Sequence, residues 1–178
     1  MPVNEARTIF LDHVEALRRE EFRRGGEYIR HVDNLATWLV SLSAGAILGV
    51  GPALSTFADL ETVSRPLVVS TLAAFTLAVL SGILCRLAIR ITLFWLGEMA
   101  TAVDIEQRRL RLGLAQGMPN IDAQIDRLAE GKFPEFEGPE RVMMVWQTRA
   151  GILGMLQSGC FFVGVLLAAI LAASALPR

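Results

Sequence analysis

The stretch Ser81–Trp95, SGILCRLAIRITLFW, decides how this chain folds. It is apolar almost throughout, yet Arg86 and Arg90 stand four residues apart, a spacing that puts both guanidiniums on one helix face. Just upstream, Pro66–Leu84 contains no Asp, Glu, Lys, Arg or His. At about 1.5 Å per residue, that segment spans roughly 28 Å as a helix, close to the hydrocarbon thickness of a bilayer. The two arginines then fall at the headgroup boundary, where long cationic side chains reach lipid phosphate. Beyond them the chain meets no proline until Gly117-Met118-Pro119, a glycine-then-proline helix stop. The second span is therefore expected to run on as helix for about 30 residues, roughly 45 Å.

Two more runs, Leu35–Phe57 and Gly151–Leu176, are equally free of charge and long enough to cross. Lipid offers no hydrogen-bond partners, so each is expected to be a helix. The fold class is an all-α integral membrane protein with three transmembrane helices and helical cytoplasmic extensions. Composition agrees: 53% of the 178 residues are hydrophobic, and the mean hydropathy is +0.46. A net charge of −1 gives no basic excess for nucleic acid. The first 34 residues are dense in charge and do not resemble a signal peptide.

Orientation follows from Lys and Arg. Segment 1–34 holds six, the loop ADLETVSR one, segment 97–149 seven and the tail one. The positive-inside rule places the N-terminus and segment 97–149 in the cytoplasm, and the short loop and C-terminus outside. Trp38, Trp95 and Trp146 lie near the cytoplasmic ends of the spans, where indole rings favour the interface. The expected division is a cytoplasmic amphipathic N-terminal helix (1–34), a first span (35–57), an external loop (58–65), a second span (66–90), a cytoplasmic helical region (91–149), and a third span with an external C-terminus (150–178). The layout resembles that of many small bacterial inner-membrane proteins, which implies a location and no activity.

Within the cytoplasmic part, Phe10, Val14 and Leu17 form an apolar stripe, and Gly25–Gly26 is read as a break between two helices. Asn120 is the expected N-cap of a short helix carrying Ile121, Ile125 and Leu128, which Gly131 ends. FPEFEGPER reads as a turn region, with Pro139 in the first turn of the last long helix. The apolar residues past the arginines, among them Phe94, Leu96 and Met99, need cover; Val142–Trp146 and Tyr28, Ile29 and Val32 are the expected source. Late in the first span, GVGP (Gly49–Pro52) marks an expected kink.

The most repeated pattern is small residues every fourth position. Ser41, Gly45 and Gly49 lie in the first span, Ser70, Ala74, Ala78 and Gly82 in the second, and Gly154 and Ser158, then Gly164, Ala168 and Ala172, in the third. Such faces let helices approach closely in lipid, within one chain or between subunits. In the second span the stripe leads into Arg86 and Arg90, which allows three fates for these arginines: snorkelling to headgroups, pairing with an acid such as Asp33 or Glu98, or ringing the cytoplasmic mouth of an oligomeric pore.

No catalytic constellation accompanies these features. His13 and His31 are the only histidines and read as surface residues; Asp104/Glu106 and Asp122/Asp126 read as solvated helix faces. Arg108–Arg111 (RRLR) reads as a solvated or interhelical charge cluster, or as a contact to anionic lipid. Cys85 and Cys160 form no CxxC and read as buried small hydrophobes. No catalytic, cofactor or metal site is expected, and the chain is not expected to be an enzyme. Two functions remain. One is a homo-oligomeric channel with an arginine ring. The other is a non-conducting accessory or scaffold subunit that docks a partner through its cytoplasmic helices. The expected partners are membrane lipid, further copies of the chain and a protein at the cytoplasmic face, not nucleic acid.

Overall fold

The structure is a computed structural model and describes residues 3–56, 65–130 and 134–174. All the secondary structure there is helical: α1 (Val3–Thr56), α2 (Arg65–Gln116), α3 (Ile121–Glu130) and α4 (Pro134–Ser174). Helices α1, α2 and α4 are each long and apolar enough to cross a membrane. The second helix passes Arg86 and Arg90 without interruption and ends where the glycine stop was read. Gly117 adopts φ 69°. The Met118 amide donates to the Gly113 carbonyl at 2.9 Å and the Gly117 amide to the Leu114 carbonyl at 3.4 Å, the paired bonds of a Schellman cap. Asn120, also at positive φ, begins α3 with its carbonyl, which accepts from the Gln124 amide at 3.3 Å.

Several local expectations are corrected. Gly25–Gly26 does not break the first helix, because α1 runs through both. A helical glycine costs only about 1 kcal/mol relative to alanine, and a Cβ built at either position would make ordinary contact with Leu96, at 3.9 Å. FPEFEGPER is not a turn from Pro134 onward: α4 starts there, with Pro139 inside the helix. Helix α1 likewise continues past Pro52 to Thr56. Phe57 and Gly131, expected ends of the first span and of α3, lie outside the described residues, as does most of the external loop.

The chain divides into two compact units, and α1, α2 and α4 contribute to both. Unit 1 comprises residues 1–30 and 90–146. Its core is Leu11, Val14, Val103, Leu110, Ile121, Ile125 and Leu128, and charged side chains cover it. Arg111 bridges Asp12 and Glu15, Arg19 pairs with Glu15 at 2.5 Å, and Arg7 pairs with Asp122. The expected Phe10–Val14–Leu17 stripe is rotated: Leu11 and Val14 face inward, while Phe10 and Leu17 are exposed. The next inward turn is Arg18, whose guanidinium donates to the Ala129 carbonyl at 2.9 Å near the end of α3. Tyr28 and Phe94, expected to be covered, are exposed too, whereas Ile29 is buried. Glu20 accepts from Arg23 and Arg24, which together hold its carboxyl down at about 2.

Unit 2 comprises residues 31–89 and 147–178 and has the opposite pattern. Most of its interior is small or polar: Ala36, Ser43, Thr71, Ala74, Ala78, Ser81, Cys85, Ala88 and Gln157 are buried, and Phe75 and Ile89 are the large apolar side chains among them. Its exterior is apolar, with Trp38, Leu48, Met155 and Phe162 each more than two-thirds exposed. The hydroxyls of Thr71, Ser81 and Ser158 donate to carbonyls one turn back in their own helices, so they ask nothing of their surroundings.

Candidate functional site

The strongest candidate in unit 2 is the face of α2 that carries Ala74, Ala78, Gly82 and Arg86. Ala74 and Ala78 are buried at 8% and 0% exposure. Gly82 faces side chains of both α1 and α4. A Cβ placed on it overlaps Val40 Cγ2 and Gln157 Nε2, each nearer than 3.0 Å. Only a residue without a side chain fits there. The same Gln157 amide donates to the Ala36 carbonyl at 2.9 Å, tying α4 to α1. Gln157 Oε1 and Ser43 Oγ are buried without a hydrogen-bond partner among the described residues. One turn beyond Gly82 is Arg86, whose Nε donates to Asp33 Oδ1 at 3.0 Å. Both side chains are about one-third exposed. Of the three fates open to Arg86, the structure places it in the acid pair. The Cys85 thiol, on the same face, donates to the Ala150 carbonyl at 3.3 Å.

The other expected packing residues are distributed differently. Gly45 and Gly49 would carry an added methyl with no atom within 4 Å of it, and Ser41 is exposed with its hydroxyl donating to the Thr37 carbonyl of its own helix. Gly154 lies in ordinary contact with Cys85 Sγ, at 3.8 Å from an added Cβ. Gly154 and Ser158 line a groove of about 400 Å3 together with Leu35 and Leu39. Gly164, further along the small-residue pattern of the third span, receives the ring of Phe75, whose carbons stand 2.8–3.1 Å from an added Cβ.

In unit 1, Arg90 is exposed and has no ion pair among the described residues. Three residues further along α2, from Leu93, a cleft of about 420 Å3 opens between α1 and α2, bordered by Arg19, Arg23, Arg30, Leu93, Gly97 and Asp104. Trp95 is half-buried and stacks edge-on with Phe94 at 5.6 Å. Trp146 is half-buried as well, and His13 and His31 are both exposed. Among the described residues no three His, Cys, Asp or Glu side chains are grouped to hold a metal ion.

Asp33 is one of the two acids the sequence offers to Arg86, whereas the tie that Gln157 makes to α1 is not read from it. The signal for Gln157 was an amide alone in the apolar run GMLQSGC. No protein-family model, curated protein or solved structure matches the chain.

Proposed function

We propose that the chain is an integral membrane protein that does not conduct ions, an accessory or scaffold subunit held in the bilayer by unit 2. Its N-terminus and unit 1 lie in the cytoplasm of a bacterial cell. The pattern of unit 2 supports insertion: an interior mostly of small and polar residues under a large apolar exterior is a poor arrangement in water and a good one in lipid. The observation that carries the non-conducting reading is the Arg86–Asp33 pair below a closed Gly82 contact. An anion-selecting ring needs uncompensated cations along an open axis. Here the carboxylate of Asp33 cancels the Arg86 charge, and Val40 and Gln157 occupy the space beside Gly82.

Docking of a partner draws support from unit 1. Phe10 and Leu17 on α1, and Ile105 and Leu112 on α2, are exposed at seven-residue spacing, and Ile9, Tyr28, Met144 and Val145 add to the apolar surface of unit 1. Self-association is a second reading, and one observation favours it: on the α1 stripe, Ser41 is exposed and an added Cβ at Gly45 or Gly49 would meet open space.

Reconstitution into liposomes tests the reading. Chloride flux is expected to stay at the protein-free level for the wild type and for Arg86→Ala/Arg90→Ala alike. A wild-type flux that falls in the double variant overturns it in favour of the arginine-lined pore.

A further inference from the structure

We infer that the cleft between α1 and α2 in unit 1 is a binding site for the headgroup of an anionic phospholipid, with Arg30 and Arg90 holding the phosphate. The inference rests on the membrane reading above and adds a specific ligand to it. Four of the cleft's residues on α1, Arg19, Arg23, Gly26 and Arg30, follow one another at spacings of four, three and four, so they form one ridge. On α2 the opposite ridge is Leu93, Gly97, Ala100 and Asp104. Arg90 precedes Leu93 by three residues and extends that ridge. The helices are antiparallel here, with Leu96 against Gly25 and Gly26. Four residues on from Gly26 in α1, and six back from Leu96 in α2, Arg30 and Arg90 stand at nearly the same level.

That level suits a phosphate. Arg30 precedes Leu35 by five residues and Arg90 follows Leu84 by six. At about 1.5 Å per residue both lie roughly 7–9 Å beyond the hydrocarbon edge, within the headgroup layer. Charge selects the ligand further. Arg23 is engaged by Glu20 and Glu27, and Arg19 by Glu15 and Asp104. Arg30 and Arg90 have no ion pair among the described residues. The uncompensated charge matches a lipid phosphodiester, while Glu27 and Asp104 on the cleft wall disfavour a more highly charged phosphate and offer acceptors to headgroup hydroxyls. Phosphatidylglycerol has this combination.

Native mass spectrometry of the full chain in mild detergent, with phosphatidylglycerol and phosphatidylcholine supplied equally, tests the site. The wild type is expected to retain phosphatidylglycerol preferentially by about tenfold or more. Arg30→Gln/Arg90→Gln abolishes that preference, and the charge-matched Arg108→Gln/Arg127→Gln leaves it intact. Preference unchanged in the Arg30/Arg90 variant, or lost equally in the control, overturns the site. Displacement of the lipid by millimolar inorganic phosphate overturns the lipid as its source. Failure of the membrane reading is distinguishable: the chain then leaves membranes in an alkaline carbonate wash.

Discussion

Gly82→Leu is expected to force α2 away from α1 and α4 and to destabilise the chain by about 3 kcal/mol, the upper part of the range for overpacking. The reason is local. A leucine Cβ alone overlaps both Val40 Cγ2 and Gln157 Nε2, well inside van der Waals contact. Val40 is β-branched and holds one rotamer in a helix, so it yields little. Gln157 is flexible, but its Nε2 is fixed on the Ala36 carbonyl, and moving it leaves a buried amide without a partner. Gly82→Ala takes the same direction at a smaller cost, about 1–2 kcal/mol. Val40→Ala is expected to relieve much of that cost, a coupling that distinguishes close contact from a general loss of helix flexibility. Unfolding in detergent, followed by far-UV circular dichroism, reads both effects; unchanged stability in Gly82→Leu contradicts the three-helix contact.

The second large effect is expected at Phe75, which is 2% exposed. Its ring lies against Gly164 and meets Phe161 edge to face, with centroids 6.1 Å apart. Phe75→Ala empties this space at a cost of about 3 kcal/mol, the lower end of the usual range for such truncations. The lower end applies because an apolar solvent returns little transfer energy, leaving lost dispersion contacts as the main term. Gly164→Ala fails from the opposite side, since its methyl would stand 2.8 Å from the ring. Phe75→Leu/Gly164→Ala is expected to be more stable than the sum of the single changes implies. Strict additivity would show that ring and glycine do not meet.

The long helices were legible because their cause is in the residues: three uncharged runs, and no proline between Pro66 and Pro119 to stop α2. Gly82 stood out for the same reason, as the small residue leading into the arginines. The partner of Arg86 was not decidable, because choosing between lipid, acid and pore requires knowing which helix lies beside it. Phe10 and Leu17 were misplaced because a three-to-four periodicity fits two neighbouring faces of one helix. Leu11 completes the inward face, and Arg18 disguises it by sending a long side chain to the end of α3. Gly25–Gly26 misled because each helical glycine costs only about 1 kcal/mol, too little to end a helix that packing on both sides holds. Gln157 was not legible because an uncharged amide in the apolar run GMLQSGC does not reveal which neighbouring carbonyl it reaches.

The central claim is that Arg86 is neutralised within its own chain. Cysteines at positions 33 and 86, in a chain with Cys85→Ser and Cys160→Ala, can be joined by a short bismaleimide in membranes that contain differently tagged copies. The account predicts cross-linked product at the mass of one chain, with no species that carries both tags. Cross-links that join the two tags, with none inside a chain, would place Arg86 at a subunit boundary and contradict it.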